Sequence, residues 1–98
     1  IPLISSMGTG NKLHPELFRI SDLKDTSVCP LCRVMRKELK TRGIQSLKVC
    51  WSPEKPLTPA PAEEDTGSSR ATPGSISFVP PAAGLMITGE IVRTICGL

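Results

Sequence analysis

The stretch from Ala82 to Ile95 constrains the fold more than any other feature. Ala82, Ala83, Leu85, Met86, Ile87, Ile91, Val92 and Ile95 spread nearly all the way round a helix that turns about 100° per residue. Pro80-Pro81 suits the first turn of such a helix, where a missing N–H has no partner to lose. Gly97 suits the position just past its end at Cys96. A helix apolar on all sides belongs inside a larger body, packed on a sheet or on a second subunit. Gly84, Thr88 and Gly89 are small enough to let another backbone approach. The rest of the chain has little to cover this helix with. It has 98 residues and three aromatics, Phe18, Trp51 and Phe78, and aromatics supply much of a core's buried area. The chain also opens inside the apolar run Ile1-Pro2-Leu3-Ile4. Together these features lead us to expect the C-terminal part of a larger α/β protein, with a further part upstream of Ile1.

A second helix is expected from Pro30 to about Arg42, with Ser27 or Cys29 as its cap and Gly43 as its stop. Leu31, Val34, Met35 and Leu39 fall on one face. Arg33, Arg36, Lys37 and Lys40 fall on the other as a basic row. Alternation follows from Gln45 to Ser52: Leu47, Val49 and Trp51 point one way and Ser46, Lys48 and Cys50 the other. That period of two predicts a half-buried strand. Helix then strand is one step of an α/β layer. Short strands are also expected at Ile1–Ser6, Leu17–Ile20 and Ser75–Val79. Residues 1–52 thus read as one part of an α/β domain, and 74–98 as its terminal strand and buried helix. Between them, residues 53–73 carry five prolines and the acidic run Glu63-Glu64-Asp65, with no hydrophobic period. That composition predicts a flexible loop.

No basic region leads into a 7–15-residue apolar run, as a secretory signal would require. The apolar stretch from Val79 to Cys96 is broken by Thr88, Glu90, Arg93 and Thr94 and does not suit a membrane span. A cytoplasmic protein is expected, and its four cysteines are then expected to be reduced thiols or metal ligands rather than disulfides. Cys29-Pro30-Leu31-Cys32 has the spacing of a zinc half-site, but structural zinc takes four ligands. Cys50, Cys96 and His14 are not paired at close spacing to supply the rest. Packing of Cys32 as a small hydrophobe is the plain alternative. Cys29, at a helix N-terminus, is the best candidate for a reactive thiol. The basic row could meet a nucleic-acid backbone or simply face solvent, and the net charge of +3 permits either. Gly8-Thr9-Gly10 lacks both the third glycine of a dinucleotide loop and the Lys-Ser/Thr of a phosphate loop.

Four blocks in order resemble one family: Ile1 to Pro15, Thr26 to Lys40, Leu47 to Pro56 and Pro73 to Arg93. They are similar to the C-terminal third to half of the tRNA threonylcarbamoyladenosine dehydratases, members of the ThiF/MoeB superfamily of adenylating enzymes. The resemblance implies a Rossmann-like α/β fold, a homodimer, and use of ATP and Mg to cyclise a threonylcarbamoyl group on tRNA. It implies that the nucleotide loop and the charged catalytic groups lie upstream of Ile1, so no catalytic residue is expected here. Ser6, Gly8, Gly10 and Asn11 would border the ATP and substrate site. Arg33, Arg36, Lys37 and Lys40 would face tRNA. Two departures stand out. The segment Gly74-Ser75-Ile76-Ser77 lacks the cysteine that some members carry there. The second C-x-x-C of zinc-binding relatives is represented only by Cys96. The competing expectations are a non-catalytic interaction module or truncated pseudoenzyme related to the ThiF/MoeB proteins and serving a sulfur-carrier or ubiquitin-like partner, and a small zinc protein.

Overall fold

The computed structural model describes residues 3–57 and 74–98. Three strands form one mixed sheet in the order β1-β3-β2: β1 (Ile4–Ser6), β2 (Arg19–Asp22) and β3 (Lys48–Trp51). The middle strand runs parallel to β1, with Ser5 opposite Val49, and antiparallel to β2, with Ile20 opposite Cys50. Helix α1 (Pro30–Thr41) lies between β2 and β3 in sequence, and α2 (Val79–Cys96) closes the chain. Short 3-10 turns at Pro15–Leu17 and Leu23–Asp25 flank β2. This is the α/β class expected from the sequence, with short strands and two helices.

Each helix covers one face of the central strand. Under α1, Val49 and Trp51 cluster with Met7, Leu23, Cys29 and Cys32. Under α2, Cys50 clusters with Phe18, Val79 and Ala83. The half-buried β3 expected from alternation is therefore corrected: Val49 and Cys50 are both fully buried. Parallel sheets covered on both sides behave this way, and a cysteine is apolar enough to pass as either face.

The expected face of α1 is also rotated. Its buried line runs through Cys32, with Met35 and Leu39 partly buried beside it. Leu31 and Val34 are exposed, at 43% and 56%. The helix stops where expected, with Arg42 as C-cap and Gly43 just beyond it at φ +74°, a conformation that costs glycine nothing.

The strand expected at Ser75–Val79 is a turn that leads into α2. The Val79 N–H donates to the Ile76 carbonyl at 3.2 Å. This i, i+3 closure sends Ile76 and Val79 into the same cluster and leaves Phe78 49% exposed. A strand would have paired 76 with 78 instead. Helix α2 is buried over its first half only. Val79 and Ala83 are covered, Met86 and Ile87 are half-buried, and every residue from Ile91 onward is exposed. An ion pair between Lys48 Nζ and Glu90 at 2.8 Å fixes its middle to β3. Of the segment 53–73, residues 58–73 lie outside the described residues. Residues 53–57 are held in place by contacts given below, not loose as expected. No described helix is long and apolar enough to cross a membrane.

Candidate functional site

The parallel pair β1 and β3 sets the geometry. Both strands end on the same side of the sheet, and loops at the C-terminal ends of parallel strands are where open α/β sheets place ligands. The two loops there are Met7–Lys12 and Ser52–Leu57. The Met7 N–H extends the ladder by donating to the Cys50 carbonyl at 2.8 Å.

Asn11 is the hub of this edge. Its φ is +57°, a left-handed conformation in which asparagine is among the tolerated residues. Its side-chain oxygen accepts from the Gly74 N–H at 2.7 Å, and its own N–H donates to the Gly74 carbonyl at 2.9 Å. Its carbonyl accepts from the Leu57 N–H at 2.8 Å. Nearby, the Glu54 carboxylate accepts from the N–H groups of Leu13 and His14 at 2.8 and 3.0 Å, while the Glu54 N–H donates to the Ser52 hydroxyl at 3.1 Å. These two residues tie the loops together. Glu54 is only 9% exposed and Lys12 only 5%, unusual for charged side chains. Neither was singled out from the sequence. The run Trp51-Ser52-Pro53-Glu54 has no hydrophobic period, and only a polar residue between two loop prolines hints at a backbone-binding carboxylate.

The expected substrate-side residues divide by role. Ser6 ends β1 and its hydroxyl donates to the Met7 carbonyl at 3.2 Å. Gly10 and Asn11 form the turn. Gly8 passes the α1 N-terminus, where an added Cβ would sit 3.9 Å from the Cys29 sulfur. None of the four carries a charge, and the Asn11 side chain is committed to Gly74. These residues therefore do not by themselves fit a triphosphate or a divalent ion.

A basic groove of about 510 Å³ opens on the other side of α1. Lys24, Arg36 and Lys40 line it with Gln45, Ser46 and Leu47. Asp22 sits at its edge, held below its ordinary pKa by the Ser46 hydroxyl first and by the Lys24 N–H next. Arg33, Lys37 and Lys40 are exposed, but Arg36 is half-buried. Its guanidinium donates to the Thr26 carbonyl at 3.0 Å and also to the Thr26 hydroxyl. Among the described residues the basic row is thus three exposed cations and one that anchors a turn.

All four cysteines are free thiols, and Cys29, Cys32 and Cys50 are buried. Among the described residues no group of three or more His, Cys, Asp or Glu side chains could hold a metal ion, so Cys29 and Cys32 are not completed into a zinc site there. Cys29 is the N-cap of α1, and its carbonyl accepts the first helical bond, from Arg33 at 3.2 Å. Burial raises the Cys29 thiol, but the N–H of Cys32, the Cys32 side chain and the N–H groups of Gly8 and Leu31 outweigh it and leave the pKa lowered. Cys32 is pushed up to about 11, first by burial and then by its hydrogen bond to Cys29. Just before the pair, Val28 has φ +67° and the Cys29 N–H donates to the Ser27 carbonyl at 2.7 Å. That is a γ-turn of the rare positive-φ kind, at a β-branched residue for which such a conformation costs of order 1–3 kcal/mol.

A three-layer α/β unit, with loops gathered at the ends of a parallel pair, defines the class. Comparison with known proteins then specifies the relatives. The chain is 37% identical to the tRNA threonylcarbamoyladenosine dehydratase of Bacillus subtilis over 101 aligned residues, covering 94% of this chain and 40% of that protein. It is 45% identical to tRNA threonylcarbamoyladenosine dehydratase 2 of Saccharomyces cerevisiae over 71 residues, 65% of this chain and 16% of that one. The fold matches crystal structures of E. coli tRNA N6-threonylcarbamoyladenosine dehydratase, TcdA. One superposes with a TM-score of 0.81 at 20% identity, over 98% of this chain and 39% of that one. The ATP complex gives 0.78 at 21% identity, over 99% and 38%. No protein-family model matches the chain. The resemblance read from the four sequence blocks therefore holds. The chain matches the tRNA threonylcarbamoyladenosine dehydratases over nearly its whole length and spans about 40% of theirs, consistent with a C-terminal part.

Proposed function

We propose that this chain is the C-terminal portion of an ATP-dependent enzyme that cyclises threonylcarbamoyladenosine in tRNA. The observation that carries this reading is the 37% identity to the B. subtilis dehydratase across 94% of the chain. ATP and Mg are bound by the rest of the protein, because Ser6, Gly8, Gly10 and Asn11 offer no charge to either. When bound there, ATP supplies the energy to expel water as the ring closes. This portion contributes the scaffold. The Asn11 and Glu54 contacts hold the loops at the sheet edge, and Ser6, Gly8 and Gly10 border the substrate. Arg33, Lys37 and Lys40 face the tRNA backbone, and Arg36 holds the α1 N-terminal turn in register beside them.

The remainder of the protein meets this portion along β1. That strand's outer edge is unpaired among the described residues. A groove of about 630 Å³ lined by Leu3, Ile4, Met35, Leu39, Ile44 and Leu47 runs beside it. The exposed half of α2 joins two copies into a homodimer, and the intact protein works in the cytoplasm.

The test is carried out in the longer protein, in cells lacking their own dehydratase. Nucleoside mass spectrometry should find the cyclic product restored by the parent protein and reduced at least tenfold by Arg33→Glu with Lys37→Glu. Direct tRNA binding should weaken with a shallower salt slope. Unchanged product and binding would reject the tRNA face. The 98-residue chain alone should give no ATP heat in calorimetry, and tight binding would reject the assignment of ATP to the rest of the protein. The competing view, a non-catalytic module, has the lack of charge at Ser6, Gly8, Gly10 and Asn11 in its favour. It requires that the longer protein never restore the cyclic product.

A further inference from the structure

The cysteine pair at the start of α1 is not used by the function proposed above, and the geometry around it is specific. The positive-φ turn at Val28 reverses the chain between Ser27 and Cys29. Val28 gains nothing from burial in return, being 56% exposed. What the turn achieves is the placement of Cys29 at the helix cap. There it caps the first turn of α1, and its sulfur lies against Gly8 in the loop after β1, 3.9 Å from where a Cβ on that glycine would sit. Cys32 lies one turn on, fully buried and in the same cluster as Cys29. Arg36 and the Thr26 hydroxyl, hydrogen-bonded to each other, lie close to Cys32. The two cysteines are thus three residues apart across one helical turn, a spacing that puts their side chains side by side, and both belong to one buried cluster.

We propose that Cys29 and Cys32 are a reversible dithiol–disulfide pair, closed by a small peroxide and reopened by a dithiol reductant. The Cys29 thiolate attacks one oxygen of hydrogen peroxide. The O–O bond breaks, a sulfenic acid forms on Cys29, and the departing hydroxide takes up a proton to leave as water. The Cys32 sulfur then attacks the Cys29 sulfur. An S–S bond forms, the S–O bond breaks, and a second water leaves with the Cys32 proton. Two thiols lose two electrons and the peroxide gains them. Access suits a molecule no larger than peroxide: Cys29 is 2% exposed, but its neighbours Ser27, Val28, Pro30 and Leu31 are all exposed. The residue order also fits, since a thiolate stabilised at a helix N-terminus attacks first and its partner resolves the product. Closing the disulfide moves the Cys29 sulfur, which packs close to Gly8. The redox state is thereby felt in the loop at the sheet edge.

The experiment uses the whole 98-residue chain with Cys96→Ser, which removes the exposed thiol. The chain is treated with stoichiometric hydrogen peroxide, denatured, alkylated and digested with trypsin. Residues 25–33 emerge as one peptide holding both cysteines. The expected result is that this peptide loses two hydrogens, escapes alkylation and regains both thiols after dithiothreitol, while Cys50 remains alkylatable throughout. In the native chain Cys29 should alkylate at least tenfold faster than Cys50. Adding Cys32→Ser should leave a sulfenic acid on Cys29 that dimedone traps. If that variant does not fold, the peptide result on the parent chain still decides. Alkylation of both cysteines after peroxide, irreversible oxidation of either, or stoichiometric zinc in the purified protein that protects both would overturn the proposal.

Discussion

The two helices cover opposite faces of one strand and could hardly be more different. Helix α1 has charged residues over most of its surface and buries a narrow line through Cys32. Helix α2 is apolar on nearly every side, yet only its first half is buried against the sheet. Apolar content therefore does not tell how much of a helix is covered within this chain. α1 is complete with the partners it has, because its narrow line matches the Val49 and Trp51 face. α2 carries more apolar surface than one sheet face can cover. Leu85, Ile95 and Leu98 are 74%, 78% and 86% exposed. Such a run of exposed apolar residues is the signature of a surface that another body covers.

The comparison can be broken most forcefully on the α1 side. Trp51 is 5% exposed and its indole N–H donates to the Ser21 hydroxyl at 2.9 Å. Trp51→Ala should cost about 3–5 kcal/mol, enough to unfold most of a small domain, as read by urea denaturation. On the α2 side the tight point is Ala83, 2% exposed, with the Cys50 sulfur 4.0 Å from its carbonyl. Ala83→Leu forces extra volume between helix and strand and should cost about 1–3 kcal/mol, with α2 displaced first. Amide exchange should then rise along α2 and not along α1. Further out the effect on folding vanishes. Ile95→Asp should change stability by less than about 0.5 kcal/mol while abolishing self-association in sedimentation. A large loss of stability there would mean that the outer half of α2 packs on this chain after all.

The smallest effect expected is at the ion pair between the helix and the strand. Glu90 is held below its ordinary pKa by the Lys48 side chain first and Arg93 next. A depressed carboxylate contributes stability that is present above its unfolded pKa and lost as pH falls through its folded pKa. The melting temperature should therefore drop slightly more on acidification in the parent chain than in Glu90→Gln. Added salt should shrink the difference.

The sequence carried the element types well where a single period held. Pro30 and Gly43 bounded α1 correctly, and Gly97 marked the end of α2. Failures came where one residue type can serve two environments. Cys50 is small and weakly polar, so alternation assigns it to the outer face. The apolar face of α1 is drawn through Leu31, Val34, Met35 and Leu39 without Cys32, although packing of Cys32 as a small hydrophobe is borne out. In the fold the two cysteines are the centres of the two covered faces. That error rotated the expected face of α1 onto Leu31 and Val34. It also left Arg36 counted as a free cation, although its partner Thr26 lies ten residues away and no local pattern links the two. Ile76 and Phe78 imitated a strand because alternation over so few residues cannot be told from a turn that closes at i, i+3. The Asn11 and Glu54 contacts join residues 40 to 63 positions apart, beyond the reach of any periodicity. Family resemblance rather than chemistry is what points to Ser6, Gly8, Gly10 and Asn11 as residues proposed to border the substrate.

The hub at Asn11 has a consequence for how this protein can vary. Leu57 and Gly74 both hydrogen-bond to that one residue, so the two ends of the connection between them are held at neighbouring points. A connection fastened in this way is a socket. Doubling its length costs only about 0.6 kcal/mol in closure entropy, and the sheet and helices need not move to admit it. Foreign peptides, or a whole reporter domain with its own adjacent ends, could be spliced in there while the dithiol, the basic groove and the strand edge stay where they are.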